Sequence, residues 1–447
     1  MTNWLRRWSA ALLAGLTLAA CGGGDEKTTV FDVIKADPSS QVLAEAVTAA
    51  GLESALRADG AITVFAPSDA AFTALLAELG VSKAQLLADK PLLTAVLQYH
   101  VLGSRVAKAD VPLGKPITPL GGGIFKIDQV GSDLVITDGR NRTSRITAAD
   151  VPADNGLVHK VDKVLLPANR TVVQTAQSLS DFSILVEAVV AADLAPTLSG
   201  NGPFTVFAPT NAAFANLLTE LGLTKAELLA NKPLLTKVLT YHVLPGRVLK
   251  AEVPVGPAIA TVQGESFTIN SALEITDRNG RKAKITGTDV LASNGVIHVV
   301  DKVILPKIPT VVEIAQSSPD FSILVEAVVA ADLAGTLSGP GPFTVFAPTN
   351  TAFANLLTEL GLTKAQLLAN KPLLTKVLTY HVLPGRVYRS GVPLGVPVTT
   401  VQGGTFTVGA DLRITDANGR RAGITATDAL GLNGVVHTID RVILPAL

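Results

Sequence analysis

The sequence predicts an α+β protein built as three tandem domains of one kind. Three observations predict it. The stretch TVFAPTNAAF at Thr205–Phe214 recurs as TVFAPSDAAF at Thr63–Phe72 and as TVFAPTNTAF at Thr344–Phe353. Each copy is followed by a Tyr-His pair (Tyr99–His100, Tyr241–His242, Tyr380–His381) and then by an Asn-Gly-x-x-His segment (Asn155–His159, Asn294–His298, Asn433–His437), and all six histidines of the chain belong to this repeat. Within each unit the apolar residues shift from helical spacing in the first half to period two in the second.

Aligning Thr29 with Thr171 and Thr310 gives offsets of 142 and 139 residues. A period of that length makes a string of domains, not a solenoid of short repeats. The units run 29–167, 171–306 and 310–447, joined by Ala168–Arg170 and Lys307–Pro309. Linkers this short, one of them holding a proline, predict a semi-rigid rod. The first unit has 59 residues between its histidines against 56 in the others, which places its insertion in the loop-rich second half. The second and third units are near duplicates: FSILVEAVVAADLA at Phe182–Ala195 recurs unchanged at Phe321–Ala334. Polar positions such as Thr236 and Lys237 are copied with the apolar ones, which packing does not demand and recent duplication explains.

The second unit serves as the template. Thr171–Gln177 and Phe182–Ala192 carry apolar residues at helical spacing, with Ser180 and Asp181 available as caps. Asn201-Gly202-Pro203 breaks the chain, and Phe204–Phe207 is a short apolar strand. Pro209 stops that strand, and Thr210 or Asn211 can accept the free N–H groups of the next helix. Its apolar face is Phe214, Leu217, Leu218 and Leu221, and Gly222 ends it. Thr224 and Glu227 form a capping box for a short helix, and Pro233 sits in the first turn of the following one, where its missing N–H costs nothing. After the Pro245-Gly246 turn, strands are expected at Ala258–Val262, Ser266–Ile269, Leu273–Thr276, Lys284–Thr286 and Gly295–Leu305. Asn279-Gly280 suits a tight hairpin turn.

The chain has 447 residues, 48% hydrophobic and 17% charged, the composition of packed domains rather than of disorder. Its 37 basic and 37 acidic residues balance. No basic stripe marks it for nucleic acid, and no net field draws it to a membrane surface. At the N-terminus, Arg6 and Arg7 precede the 12-residue apolar run Ser9–Ala20. That run is too short for a bilayer, which needs about 20 residues, and 1–20 reads as a secretory signal peptide. It ends in Leu18-Ala19-Ala20-Cys21, which resembles the lipobox of bacterial lipoproteins. The resemblance implies cleavage before Cys21 and lipidation of its thiol, anchoring the chain to a membrane. Gly22 resembles the outer-membrane sorting pattern, which implies an outer-membrane or cell-surface address, or one facing the periplasm. Residues 21–28 read as a flexible tether. Cys21 is the only cysteine, so the domains hold no disulfide.

Two histidines per unit raise the question of metal or acid/base chemistry. No unit has a His-x-x-x-His or HExxH arrangement. His242 follows an amphipathic helix and His298 sits mid-strand between Ile297 and Val299, so a buried histidine donating to a backbone carbonyl is the better reading. There is no GxSxG elbow. Gly121–Gly123 and Gly403-Gly404 lack the Lys-Ser/Thr ending of a phosphate loop and read as hairpin turns. Asp162, Asp301 and Asp440 read as turn caps or partners of the adjacent Lys or Arg. The expectation is no catalytic residue, no cofactor and no metal.

TVFAPTNxAF, then Tyr-His, then NGVIHVVDKVILP, in that order in each unit, resembles the fasciclin domain family over roughly residues 28–447. The resemblance implies a twisted β-wedge or sandwich with a helical cluster, an extracytoplasmic location and a role in adhesion or matrix contact. It also implies contact residues, because adhesive members from animals use the Tyr-His region and an Asp-Ile pair before the Asn-Gly segment. The matching positions are Tyr99, His100 and Asp150; Tyr241, His242 and Asp289; and Tyr380, His381 and Asp428. The residue after the aspartate is Val151, Val290 or Ala429, never Ile, so an integrin is not implied. The expected contacts are the chain just past each Tyr-His pair and the segment at the aspartate. The expected partner is a cell-surface or matrix protein or polysaccharide, gripped multivalently by similar units. The alternative is a periplasmic small-ligand-binding or hydrolytic protein with a pocket in one domain. Near-identity of the second and third units leaves the first as its place.

Overall fold

A computed structural model describes residues 27–446. The leader and Cys21 lie outside the described residues. Lys27 and Thr28, at the end of the expected tether, are tied to the first domain: Lys27 Nζ pairs with Asp59 at 2.7 Å, and Thr28 N donates to Asp154 at 2.6 Å.

The first domain opens with helices α1 (Val30–Ala36), α2 (Gln41–Ala50) and α3 (Glu53–Arg57), then strand β1 (Ile62–Pro67). Helices α4 (Asp69–Leu79), α5 (Lys83–Ala88) and α6 (Lys90–Tyr99) follow. The chain finishes with β2 (Val101–Leu102), β3 (Pro116–Ile117), β4 (Phe125–Val130), β5 (Asp133–Thr137), β6 (Thr143–Ala153) and β7 (Gly156–Val161). Local chemistry sets the helix ends. Thr29 with Asp32 and Ser82 with Gln85 close capping boxes, Ser68 caps α4, and Gly51 and Gly80 end α2 and α4 in the left-handed region.

The seven strands form one sheet in the order β2-β1-β7-β6-β5-β4-β3. Every pairing is antiparallel except β1 with β7, which runs parallel from Ile62↔Gly156 to Pro67↔Val161. A parallel pair needs a crossover, and here the crossover carries α4–α6 and most of the sheet. Alternation along β1 serves two cores at once. Val64 and Ala66 face the helices, with Phe31, Leu43, Phe72 and Leu97. Phe65 faces the sheet, with Tyr99, Phe125 and Ile136.

The second and third domains repeat this architecture strand for strand, giving three tandem α+β domains. Several details differ from the sequence reading. The five-residue helix α3 and its counterparts Ala195–Ser199 and Ala334–Ser338 were not expected, because so short a stretch shows no period. Ser180 and Asp181 do not cap Ser183–Ala191, which has no side-chain cap; instead Asn211 Oδ1 accepts from Ile184 N at 2.9 Å, while Thr210 caps Asn211–Leu221. The Asn279-Gly280 connection is not a two-residue turn. It runs from Asp277 to Arg281 with Gly280 at φ 73°, and Asp277 Oδ1 accepts from Asn279 N and Arg281 N. The strand expected at Lys284–Thr286 is part of Lys282–Ala292, bulged on either side of Gly287. The last strand stops at Val300, short of Leu305.

The second and third domains make one compact unit. Ile308 of the linker is 4% exposed, inside the second domain's helical core. Asn279 holds this stretch by accepting from Ile308 N at 3.1 Å and donating to Pro306 O at 2.8 Å. From the third domain, Tyr388 Oη donates to Leu221 O at 2.9 Å, Ser390 Oγ donates to Glu227 at 2.8 Å, and Leu432 packs on the second domain's core. The effect shows in two nearly identical helices: Leu221 is 1% exposed, whereas its counterpart Leu360 is 40% exposed. The second domain has Leu249, Ala251 and Ser293 where the third has Tyr388, Ser390 and Leu432. Restoring two of those residues with Tyr388→Leu and Leu432→Ser should leave each domain folded and remove about 2–3 kcal/mol of coupling. Calorimetry of the full chain is expected to show the merged transition of the two domains separate; an unchanged thermogram would contradict the interface.

Candidate functional site

In each domain the sequence-singled residues converge on the start of the sheet. The helix α6 delivers Tyr99 and His100 at its C-terminal end, because its apolar face (Leu93, Val96, Leu97) packs on the helical core. Tyr99, Tyr241 and Tyr380 are fully buried, and His100, His242 and His381 are 1–2% exposed. The tyrosine rings stack edge-on against Phe125, Phe267 and Phe406. Their hydroxyls donate to the backbone oxygens of Ile124, Ser266 and Thr405. Burial pushes the Tyr241 and Tyr380 hydroxyls above their ordinary value. These side chains are therefore turned inward and satisfied within the domain.

The two histidines of a domain do opposite jobs. His100 Nδ1 donates to Val96 O at 2.7 Å, a carbonyl freed by the end of α6, and its Nε2 accepts from Leu165 N at 2.8 Å. The proton sits on Nδ1, and the ring welds α6 to the chain beyond β7. His159 is the other tautomer. Its Nε2 donates to Val106 O at 2.9 Å, and its Nδ1 accepts from Asp150 N at 3.1 Å. His298 and His437 repeat this with Val248 and Asp289, and with Val387 and Asp428.

That second histidine builds the candidate contact surface. It fixes the aspartate in a bulge of the long strand, at φ 59° for Asp150, 61° for Asp289 and 64° for Asp428. The carboxylates then accept from the backbone N–H of Lys108, Lys250 and Arg389 at 2.7–2.8 Å. So the aspartate and the chain past the Tyr-His pair, about 40 residues apart, form one surface element. Asp150 and Asp428 are exposed, as are Lys108–Asp110, while Asp289 is 3% exposed. In the third domain, Asp428, Tyr388 and Ser390 border a crevice of about 480 Å³ against Glu227 and Asn231 of the second.

One further landmark of the sequence, and one residue that the sequence reading did not single out, support this frame. Asn155 accepts from Val30 N at 2.8 Å and donates to Leu56 O and Ala58 O, stapling α1 and α3 to the β6–β7 hairpin. Asp138, 1% exposed, accepts from the backbone N–H of Arg140, Arg142 and Leu166, and burial raises its carboxyl above the usual range. A signal for it existed: each unit has Thr-Asp followed four residues on by arginine, at Arg142, Arg281 and Arg420. Asp162, Asp301 and Asp440 accept backbone N–H groups across the hairpin, from Arg145, Lys284 and Gly423. Among the described residues, no group of three or more His, Cys, Asp or Glu side chains is placed to hold a metal ion.

The fasciclin domain model matches residues 38–167, 180–306 and 319–445, and the chain belongs to that family. It is 29% identical over 416 residues to transforming growth factor-beta-induced protein ig-h3 of Sus scrofa, covering 93% of this chain and 57% of that protein. It is 28% identical over 437 residues to periostin of Homo sapiens, covering 94% and 48%. The chain thus spans about half the length of these relatives. Over 139 residues it is 49% identical to protein sll1483 of Synechocystis sp., covering 30% of this chain and 73% of that one. Among solved structures, a FAS1 domain pair from the insect cell adhesion molecule fasciclin I is 20% identical, with a TM-score of 0.32, covering 62% of this chain and 95% of that one.

Burial holds His100, His242 and His381 at a pKa of about 4, against 6.5 in the unfolded chain. Above pH 6.5 both states carry neutral rings and stability is complete. As pH falls toward 4 the unfolded state takes up protons that the folded state refuses, so each domain loses about 3 kcal/mol. Melting temperature measured from pH 7 to 4.5 should fall steadily in this window. The slope is expected to flatten when the three histidines are replaced by Gln; an equal slope would place the titration elsewhere.

Proposed function

We propose that the protein is a lipid-anchored, extracytoplasmic binding protein that mediates adhesion to a cell-surface or matrix protein or polysaccharide, without catalysis. The observation that carries this reading is the fate of the polar landmarks. In all three family domains the Tyr-His pair and second histidine are consumed by internal bonds, and what they shape is an exposed turn, joined by an exposed aspartate in the first and third domains. That is the layout of a recognition surface, where backbone is held rigid and side chains on it are free to vary.

Contact centres on Arg105–Asp110 and Asp150 of the first domain, where Lys108, Ala109, Asp110 and Asp150 are all exposed. Repetition of this element in the other domains supplies avidity where the partner presents repeated sites. Among the described residues no helix is long and apolar enough to cross a membrane, and attachment is assigned to lipid on Cys21. Nucleic acid is not a partner on this reading, since the charges balance.

Asp150→Asn keeps a residue that tolerates positive φ and can still accept from Lys108 N, but removes the charge. It should weaken capture of envelope or matrix components several-fold with little change in melting temperature; full capture would exclude this aspartate. Cys21→Ser should move the protein from the membrane fraction to the soluble fraction, and retention in the membrane would refute lipid anchoring.

A further inference from the structure

A cleft of the first domain lies between α2 and α3 on one side and the β1–β2 edge on the other, with a volume of about 650 Å³. Its walls are aliphatic, among them Leu43, Val47, Leu56, Ile62 and Leu97, and no Phe, Tyr or Trp lines it. His100 forms part of the floor, but both ring nitrogens are already bonded, to Val96 O and Leu165 N. Polar side chains of the lining, such as Ser54 and Asp59, are on or beside α3, where Asp59 is paired with Lys27 at 2.7 Å.

The equivalent cleft of the third domain, at Val328, Leu337, Leu378 and His381, has a volume of only about 40 Å³. Among the lining positions that differ between the two domains is one strand pair. In the second and third domains a phenylalanine faces a proline across the first strand pair, Phe204↔Pro245 and Phe343↔Pro384, and both phenylalanines pack on the helical cores. The first domain has Ile62 and Gly103 at these positions, both lining the cleft, and its β2 is correspondingly short. The smaller pair thus accompanies the wide cleft of the first domain, and the larger pair Phe343 and Pro384 the narrow one of the third.

We propose that the first-domain cleft is a binding site for one unbranched aliphatic chain, from a fatty acid or a lipid tail. The lining offers no Phe, Tyr or Trp face for a planar ring, and its polar side chains Ser54, Asp59 and Gln98 are exposed, while burying a methylene chain against the aliphatic walls is favourable at every carbon. This activity goes beyond adhesion and stands or falls independently of it. Two sources supply the same chemistry. One is free lipid. The other is an acyl chain on Cys21, which lies six residues before Lys27 and so within about 20 Å of the cleft's edge at full extension.

The test titrates the full chain carrying Cys21→Ser with the fluorescent 18-carbon cis-parinaric acid. One saturable site per chain is expected. Ile62→Phe with Gly103→Pro, residues the other two domains already accommodate, should weaken binding at least about tenfold. The reciprocal pair in the third domain, Phe343→Ile with Pro384→Gly, should raise the stoichiometry to two, and it decides the matter where the first variant fails to fold. No binding, three equal sites, or undiminished affinity in a folded first-domain variant would overturn the site. If the lipidated protein refuses the probe that the Cys21→Ser protein accepts, the site holds the chain's own anchor; equal uptake by both assigns it to external lipid.

Discussion

Each domain depends on the parallel pairing of its first long strand with its last, Ile62–Pro67 against Gly156–Val161 in the first. These strands are about 90 residues apart in sequence, so their contact closes a loop containing nearly all the rest of the domain, at an entropic cost that only burial on both faces can offset. The approach is tight enough that a Cβ on Gly156 would lie 2.2 Å from Ile62 O, and Gly295 and Gly434 stand under the same constraint. Once the pair forms, Val64 and Ala66 organise the helices and Phe65 organises the sheet. The histidines and Asn155 then lock what surrounds it.

This constraint explains why the strongest signature lies inside the domain. The TVFAP strand, the Tyr-His pair and the Asn-Gly-x-x-His segment all serve the central pairing or its bracing, and they sit inside. Their outward product is indirect: a histidine ring that holds an aspartate at positive φ and thereby shapes a turn some 40 residues earlier in the chain. Variation is concentrated at the edges of this frame. Tyr388, Ser390 and Leu432 fit the third domain to the second, and Ile62 and Gly103 line the cleft of the first. Repetition supplied the frame, and edge residues such as these fit the copies to different surroundings.

Much of the fold was legible because its signals are local. The capping box at Thr224, the glycine stop at Gly222 and the proline in the first turn at Pro233 each act within one helical turn and appear where spacing puts them. Signals that compete across distance were misread. Asn211 looks like a local cap but satisfies a helix 27 residues earlier, and Asp289 looks like a loop residue but occupies a bulge in an 11-residue strand.

The sequence by itself determined the number of domains, their α+β order and the family, because repetition and hydrophobic period are properties of the chain in one dimension. Only the tertiary structure decided which polar residues face inward, which domain carries an open cleft, and that the second and third domains pack as one unit. Those outcomes depend on what lies opposite a residue in space: Leu221 and Leu360 occupy nearly identical helices, yet one is covered and the other exposed.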